Sequence, residues 1–376
     1  LHNWIEIAGD HLAANFRTLQ TAAGAGTEVL AVVKARAYGH GAEHCAAPLV
    51  RAGAQWLGVT NATEGSRVRA ALGGLPARIL VMCDFAAPYV CLMHEANLTP
   101  VVWTLEQVAA LAARPLPLHL EIDTGMSRQG VRPGAELAGI LTAIRAANLR
   151  LEGVLTHFTS SEEPESRHTR RQQELFAAAI AQIREAGLSP DWVHAGASSA
   201  IDNPAYQPGW LAELAASVGA RPMVRTGLAL YGYGLPLDPG ATPRVIPAVK
   251  PVLTWKVGVI STRTVEPGDT IGYNATFTVR KPMRIALLSV GFANGLRREL
   301  SSTNDRPGGW VMLHGRRASI LGRISMNHTV VDVTHIPEVE AGDTAILLGP
   351  GVTADDHARL AHTTAYEILC GIQPGS

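Results

Sequence analysis

From residue 10 to about 235 the chain alternates short apolar runs with longer amphipathic stretches. The apolar runs are "VLAVVK" (29–34), "WLGVT" (56–60), "RILVMC" (78–83), "TPVVW" (99–103), "LHLEID" (118–123), "LEGVLTHF" (151–158), "WVHAGA" (192–197) and "MVRTGLALYG" (223–232). Between them lie segments such as "LEQVAALAAR", "AELAGILTAIRAA" and "RRQQELFAAAIAQIREAG", with apolar residues at i, i+3, i+4 and i+7, the spacing of a helix with one buried face. Strands separated by helices predict an α/β fold, a (β/α)8 TIM-like barrel, whose functional groups sit at the carboxyl ends of the strands. The pattern changes at 234–251, where "GLPLDPGATPRVIPAVKP" crowds five prolines into a boundary. Short β-rich runs follow, "VLTWKVGVISTRTV", "RIALLSVGF", "WVMLHG", "HTVVDVT" and "TAILLG". The expected division is a barrel over 1–240 and a mostly-β C-terminal domain over 241–376.

Bulk properties narrow the function classes. A chain of 376 residues exceeds one small domain, which agrees with a barrel plus an appendage. Its 32 basic residues balance 32 acidic ones without basic clusters, which argues against nucleic acid or an anionic membrane as partner. No apolar run reaches ~18 residues, and the first residues carry no secretory pattern. Cys45, Cys83, Cys91 and Cys370 form no CxxC pair and read as free thiols of a cytoplasmic protein; no metal is expected.

One run ends strangely. "VLAVVKARAYGHG" closes a buried strand on Lys34. A lysine at a strand end often extends to solvent. At a barrel mouth it can instead be desolvated, lose basicity and form a Schiff base with an aldehyde such as pyridoxal phosphate. Position alone leaves both readings open.

Its company decides. "AVVKARAYGHG" resembles the cofactor-lysine segment of bacterial alanine racemases, and "EIDTGMSRQG", "THFTSSE", "VRTGLALYG", "IGYNATF", "SVGFANG" and "GRISMNHTVVDV" follow in the family's order over nearly the whole chain. The resemblance implies a pyridoxal 5'-phosphate enzyme that interconverts L- and D-alanine by a two-base mechanism. Lys34 looks like the cofactor lysine and one base, acting on the D-enantiomer. Tyr273 looks like the other base, supplied in this family by the second subunit of a homodimer with shared sites. Tyr38, Ser198, Gly227 and Leu228 resemble the phosphate ligands, and Arg225 the arginine facing the pyridine nitrogen. His194 resembles that arginine's partner, and His157 the residue that polarises the tyrosine. Arg128 and Met326 fall where the substrate carboxylate is held.

Some positions depart from the family pattern. Glu121 stands where many members carry a lysine that becomes carbamylated, and a glutamate supplies that negative charge directly. Arg36, Ala197, Phe292, Asn294 and Asn327 replace the usual residues, and the chain closes on "CGIQPGS" without the usual Arg-Val-Pro segment. These departures bear on substrate range and access. They keep open a racemase of another or broader set of amino acids, serine or basic ones among them, and a catalytically silent cofactor binder.

Overall fold

A computed structural model describes residues 3–163, 165–203, 208–237 and 240–375; Asp238 and Pro239 of the proline-rich stretch lie outside them. The chain divides into two compact units, one made of Gly9–Ala37 and Gly41–Lys250, the other of Leu1–Ala8, Tyr38–His40 and Pro251–Ser376.

The chain opens with strand β1 (Asn3–Ile7), which belongs to the second unit. Then come β2 (Glu28–Val32), β3 (Trp56–Asn61), β4 (Arg78–Asp84), β5 (Thr99–Val102), β6 (Leu118–Glu121), β7 (Leu151–Leu155), β8 (Trp192–His194) and β9 (Arg221–Thr226). These eight form a closed barrel, each parallel to the next, with Glu28–Ala31 of β2 pairing Met223–Thr226 of β9. Their near-continuous burial is what parallel strands covered on both faces require. Helices wrap the outside. The helix Arg167–Glu185 buries Phe176, Ala179, Ile180 and Ile183 along one stripe, and Ser166 caps it by accepting from Thr169 N–H. Packing inside is tight: at Gly58 a Cβ would lie 2.6 Å from Met82 Sδ and 2.7 Å from Leu30 Cδ2, so a larger residue would have to displace both side chains.

All eight predicted strands exist, with different ends. β2 stops at Val32, so Lys34 lies beyond the strand and begins a turn. The stretch "LALY" is a 3-10 turn, Leu228–Tyr231, because the backbone of Gly227 (φ −123, ψ −87) leaves the extended region. Trp192–His194 is only three residues long.

In the second unit, β10 (Leu253–Val265) pairs with β1, and a short hairpin joins β11 (Thr270–Ile271) to β12 (Phe277–Thr278). After these come β13 (Met283–Leu288), β14 (Trp310–Leu313), β15 (Arg316–Leu321), β16 (Thr329–Asp332) and β17 (Thr344–Leu348). The antiparallel order is β1-β10-β13-β16-β15-β14-β17, with β17 also returning to β10. A register shift between Val259 and Ser261 lets the long β10 serve both parts of the sheet. Val265, Ile271, Val279, Met283, Ile285 and Leu321 form one of its cores. The first eight residues therefore count with this unit, whereas the sequence pattern places them with the barrel. "NWIEI" has the alternation of a half-buried strand, and its partner in β10 lies some 250 residues away, beyond the reach of a local pattern. Among the described residues no helix is long and apolar enough to cross a membrane.

Asn15, 1% exposed in the helix Gly9–Ala23, ties the end of the barrel unit in place. Its Nδ2 donates to Leu230 O (2.9 Å) and Lys250 O (2.8 Å), and its Oδ1 accepts from Lys250 N–H (2.9 Å). Asn15→Ala leaves these buried groups without partners, so urea unfolding is expected to show a stability loss of about 1–3 kcal/mol or more.

Candidate active site

Beyond Val33, whose N–H donates to Gly58 O (2.8 Å), the chain does something unusual. Ala35, Arg36, Ala37 and Tyr38 all have positive φ, at 52°, 55°, 52° and 55°. None is glycine, and the left-handed conformation costs a non-glycine residue roughly 1–2 kcal/mol. Part of the compensation is a buried carboxylate: Glu64 Oε1 accepts from Arg36 N–H (2.9 Å) and Oε2 from Thr60 N–H (2.7 Å). Lys34, at the start of this turn, is half-buried and makes no hydrogen bond or ion pair among the described residues. A strained backbone around an uncommitted amine is a common mark of a working site.

Across the barrel mouth, Arg225 at the end of β9 is 3% exposed. Its Nη2 donates to Thr156 O (2.7 Å) and faces His157 Nδ1 (3.3 Å), while Nη1 faces His194 Nδ1 (3.4 Å). Since guanidinium has only donors, both imidazole Nδ1 atoms must present lone pairs, so both rings are neutral. Burial first, then Arg225, Arg128 and Lys34, push His157 from 6.5 to about 3. Burial, His119 and Arg225 hold His194 well below the usual range.

Beside this, Ser198 Oγ, 5% exposed, accepts from Gly227 N–H (3.1 Å) and Ala229 N–H (3.3 Å). Leu228 lies between them, buried. Converging backbone N–H groups and a hydroxyl make a cradle suited to an anion such as a phosphate. A lysine amine, a fixed guanidinium and this cradle are the donor set that pyridoxal phosphate needs, and they fit it.

Glu121, 4% exposed at the end of β6, is bonded to Gln129 Nε2, which also donates to Met82 O (2.9 Å). Arg128 is exposed and acts on Glu121 only as a more distant charge. Burial raises the Glu121 pKa, opposed by Gln129, Arg225, Arg128 and Lys34. Gln129, Glu64 and Thr156 were not singled out from the sequence. Nor was Gln172, which accepts from Thr159 N–H (3.0 Å) and donates to His157 O (3.2 Å), fixing the "THF" backbone. For Glu64 and Gln172 the available signal was a charged or amide residue on the buried stripe of a helix; Gln129 and Thr156, outside helices and strands, gave none.

Tyr38, Tyr273 and Met326 belong to the C-terminal unit. Tyr38 is buried, its ring 5.7 Å from Tyr366, and Gly39 beside it (φ 85) must be glycine because a Cβ would lie 2.1 Å from Leu369 O. Tyr273 and Met326 are 63% and 58% exposed, with Phe292 at 42%. The loops carrying Phe292 and Met326 are joined by Phe292 N–H to Ser325 O (3.1 Å) and Ala293 N–H to Met326 O (3.0 Å).

The neutral histidines set an acid limit. A histidine whose folded pKa is depressed gives stability present above its unfolded value of 6.5 and lost as pH falls toward the folded value, about 3 for His157. Melting temperature is therefore expected to hold above pH 7 and fall progressively below 6.5. In thermal melts from pH 8 to 4, His157→Phe should flatten part of that slope.

The alanine racemase N-terminal domain profile matches residues 7–235, and the alanine racemase C-terminal domain profile matches residues 252–375. The alanine racemase of Halothermothrix orenii is 34% identical over 379 residues, 98% of this chain and 94% of that protein. That of Symbiobacterium thermophilum is 34% identical over 389 residues, with 98% and 94% covered. Among solved structures, the Streptomyces coelicolor alanine racemase superposes with a TM-score of 0.85 at 32% identity, covering 99% of this chain and 96% of that one. The Bartonella henselae alanine racemase, described with covalently bound pyridoxal phosphate, gives 0.81 at 25% identity, with 99% and 98% covered. With both domain profiles matched in order and the barrel mouth built as it is, the chain belongs to the alanine racemase family, enzymes that interconvert L- and D-alanine.

Proposed function

We propose that the chain racemises alanine with pyridoxal phosphate bound at the barrel mouth, one proton being moved on each face of the substrate α-carbon, and that it works as a homodimer in the cytoplasm. The observation that carries the reading is the convergence of a half-buried Lys34 amine with no ion pair among the described residues, Arg225 held between two neutral histidines, and the N–H cradle at Ser198.

Bound, the cofactor supplies an electron-withdrawing ring that acidifies the substrate's α-C–H. Lys34 would hold it, then take or return a proton at Nζ on the face of the D-enantiomer; Tyr273 Oη would do so on the face of the L-enantiomer. Ser198, Tyr38 and the backbone at Gly227 and Leu228 would hold the phosphate. Arg225 would donate a hydrogen bond to the ring nitrogen without surrendering its proton, which would restrain the ring's electron demand and favour return of the proton to the α-carbon. His194 and His157 keep that guanidinium in place. Arg128, with the backbone at Met326, would receive the substrate carboxylate, and Glu121 would supply the negative charge that balances the site's cations. The exposure of Tyr273, Phe292 and Met326 supports a second copy covering that face, since large apolar side chains are seldom left together in water. Four free cysteines support a reducing compartment.

The test is L-alanine with the cofactor-loaded protein in deuterium oxide. D-alanine carrying α-deuterium is expected, with Lys34→Ala and Tyr273→Phe each lowering the rate by roughly 10²- to 10⁴-fold. A loaded protein that neither inverts nor deuterates alanine overturns the reading, and a panel of other amino acids then decides whether a different substrate is turned over. Mixing the two inactive variants should restore partial activity if the sites are shared between subunits. Glu121→Gln should raise KM for alanine, and an unchanged KM removes Glu121 from the site.

A further inference from the structure

Polar contacts continue below Arg225, deep inside the barrel. His194 Nε2 lies 2.9 Å from His119 Nδ1, both rings being fully buried and set edge to face at 4.9 Å. His119 Nε2 points at Glu152 Oε2 across 3.6 Å, beyond a closed hydrogen bond, and has no nearer partner among the described residues. Glu152, 1% exposed, accepts from Arg78 Nη2 (2.5 Å) at a cavity of about 540 Å³ lined by Trp56, Arg78, Asp191, Trp192 and Arg221 among others.

The ends of this chain dictate its middle. Arg225 can only donate, so His194 Nδ1 is a lone pair and its proton sits on Nε2. That N–H then requires a lone pair on His119 Nδ1, which puts the His119 proton on Nε2, facing the carboxylate of Glu152. Burial would raise Glu152, but His119 and Arg78 outweigh it and hold it at about 2, so this end stays an acceptor. A protonated imidazole at either place would set N–H against N–H.

The barrel also reserves space for the His119 ring. Gly153 lies opposite His119 in the β6–β7 pairing, and a Cβ there would lie 2.4 Å from His119 Nδ1 and 2.5 Å from Cε1. The Trp56 ring packs against it at 5.2 Å. The ring plane is fixed by this packing, and the hydrogen bond with His194 together with the Glu152 carboxylate selects which nitrogen faces which side.

We infer that His119, oriented by Glu152 and the gap at Gly153, is a positioning residue for Arg225: it supplies the acceptor that holds His194 with its Nδ1 lone pair toward the guanidinium. The inference rests on the reading of Arg225 as the partner of the cofactor's ring nitrogen. A guanidinium loosened from His194 would let that nitrogen take a proton from water and strengthen the ring's electron demand. A proton would then go to the cofactor's aldehyde carbon in place of the α-carbon, and water would release pyruvate, the amino group and the electron pair staying on the cofactor as its amine form.

Two readouts test it. In protein labelled with ¹⁵N-histidine, with and without cofactor, His119 and His194 are expected to be protonated at Nε2 only, with a through-hydrogen-bond coupling between His194 Nε2 and His119 Nδ1. Protonation of either at Nδ1, or no coupling, overturns the chain. In the loaded enzyme His119→Phe should lower kcat by roughly 10- to 100-fold with little change in KM, and raise the pyruvate released per D-alanine formed. His119→Asn, whose Oδ1 replaces the Nδ1 acceptor, should return that ratio toward wild type. A merely structural His119 would lower the amount of loaded enzyme and leave the ratio alone, which refutes the role. Arg225→Lys separates the claims. An unchanged ratio there refutes the reading of Arg225 itself, whereas a raised ratio there with an unchanged one in His119→Phe refutes the role of His119.

Discussion

A guanidinium cannot be buried without acceptors, and the barrel interior is organised around supplying them to Arg225. The acceptors that converge on it include Thr156 O, His157 Nδ1 and His194 Nδ1, from the ends of neighbouring strands. Because an arginine never gives up its proton, every group it meets is forced into the complementary state, and two buried histidines become obligate neutral acceptors. The same demand passes inward through His194 to His119 and ends at a carboxylate. A single cation thus fixes the protonation of the groups below it, which is how a barrel otherwise packed with Val, Ile and Leu tolerates a polar column.

Lys34 is held by a different constraint. Four consecutive non-glycine residues in the left-handed region form a conformation that a free peptide does not sustain. It persists because the strand before it is locked in the barrel and because Glu64 accepts backbone N–H groups from both the turn and the end of β3. The effect is to turn the chain sharply after Lys34, leaving its amine at the mouth.

Cations outnumber the carboxylate at this mouth. Arg225 and Lys34 face Glu121, whose carboxyl is drawn upward by burial and downward by Gln129 and these cations. The structure joins Glu121 to Gln129 and leaves Arg128 exposed. A neutral amide can reach the buried carboxylate at smaller desolvation cost than a second guanidinium.

Much of this was determined by sequence alone. Eight apolar runs separated by amphipathic stretches specify a barrel because hydrophobic periodicity is local, and a glycine or proline cluster announces its own turn. Lys34, Arg225, His194 and Ser198 were singled out because the short segments that carry them resemble those of the alanine racemase family; position alone left Lys34 open. Tertiary structure alone decided three other things. β1 joined the C-terminal unit because its partner in β10 lies some 250 residues away. Glu64 and Gln172, on helices, and Gln129, in a loop, entered the site through contacts with turns distant in sequence, which a local pattern does not record. His119 and Glu152, each an isolated polar letter in an apolar strand, gained meaning only when barrel closure set β6, β7, β8 and β9 side by side, because the acceptor a buried donor needs can come from any strand that closure brings within reach.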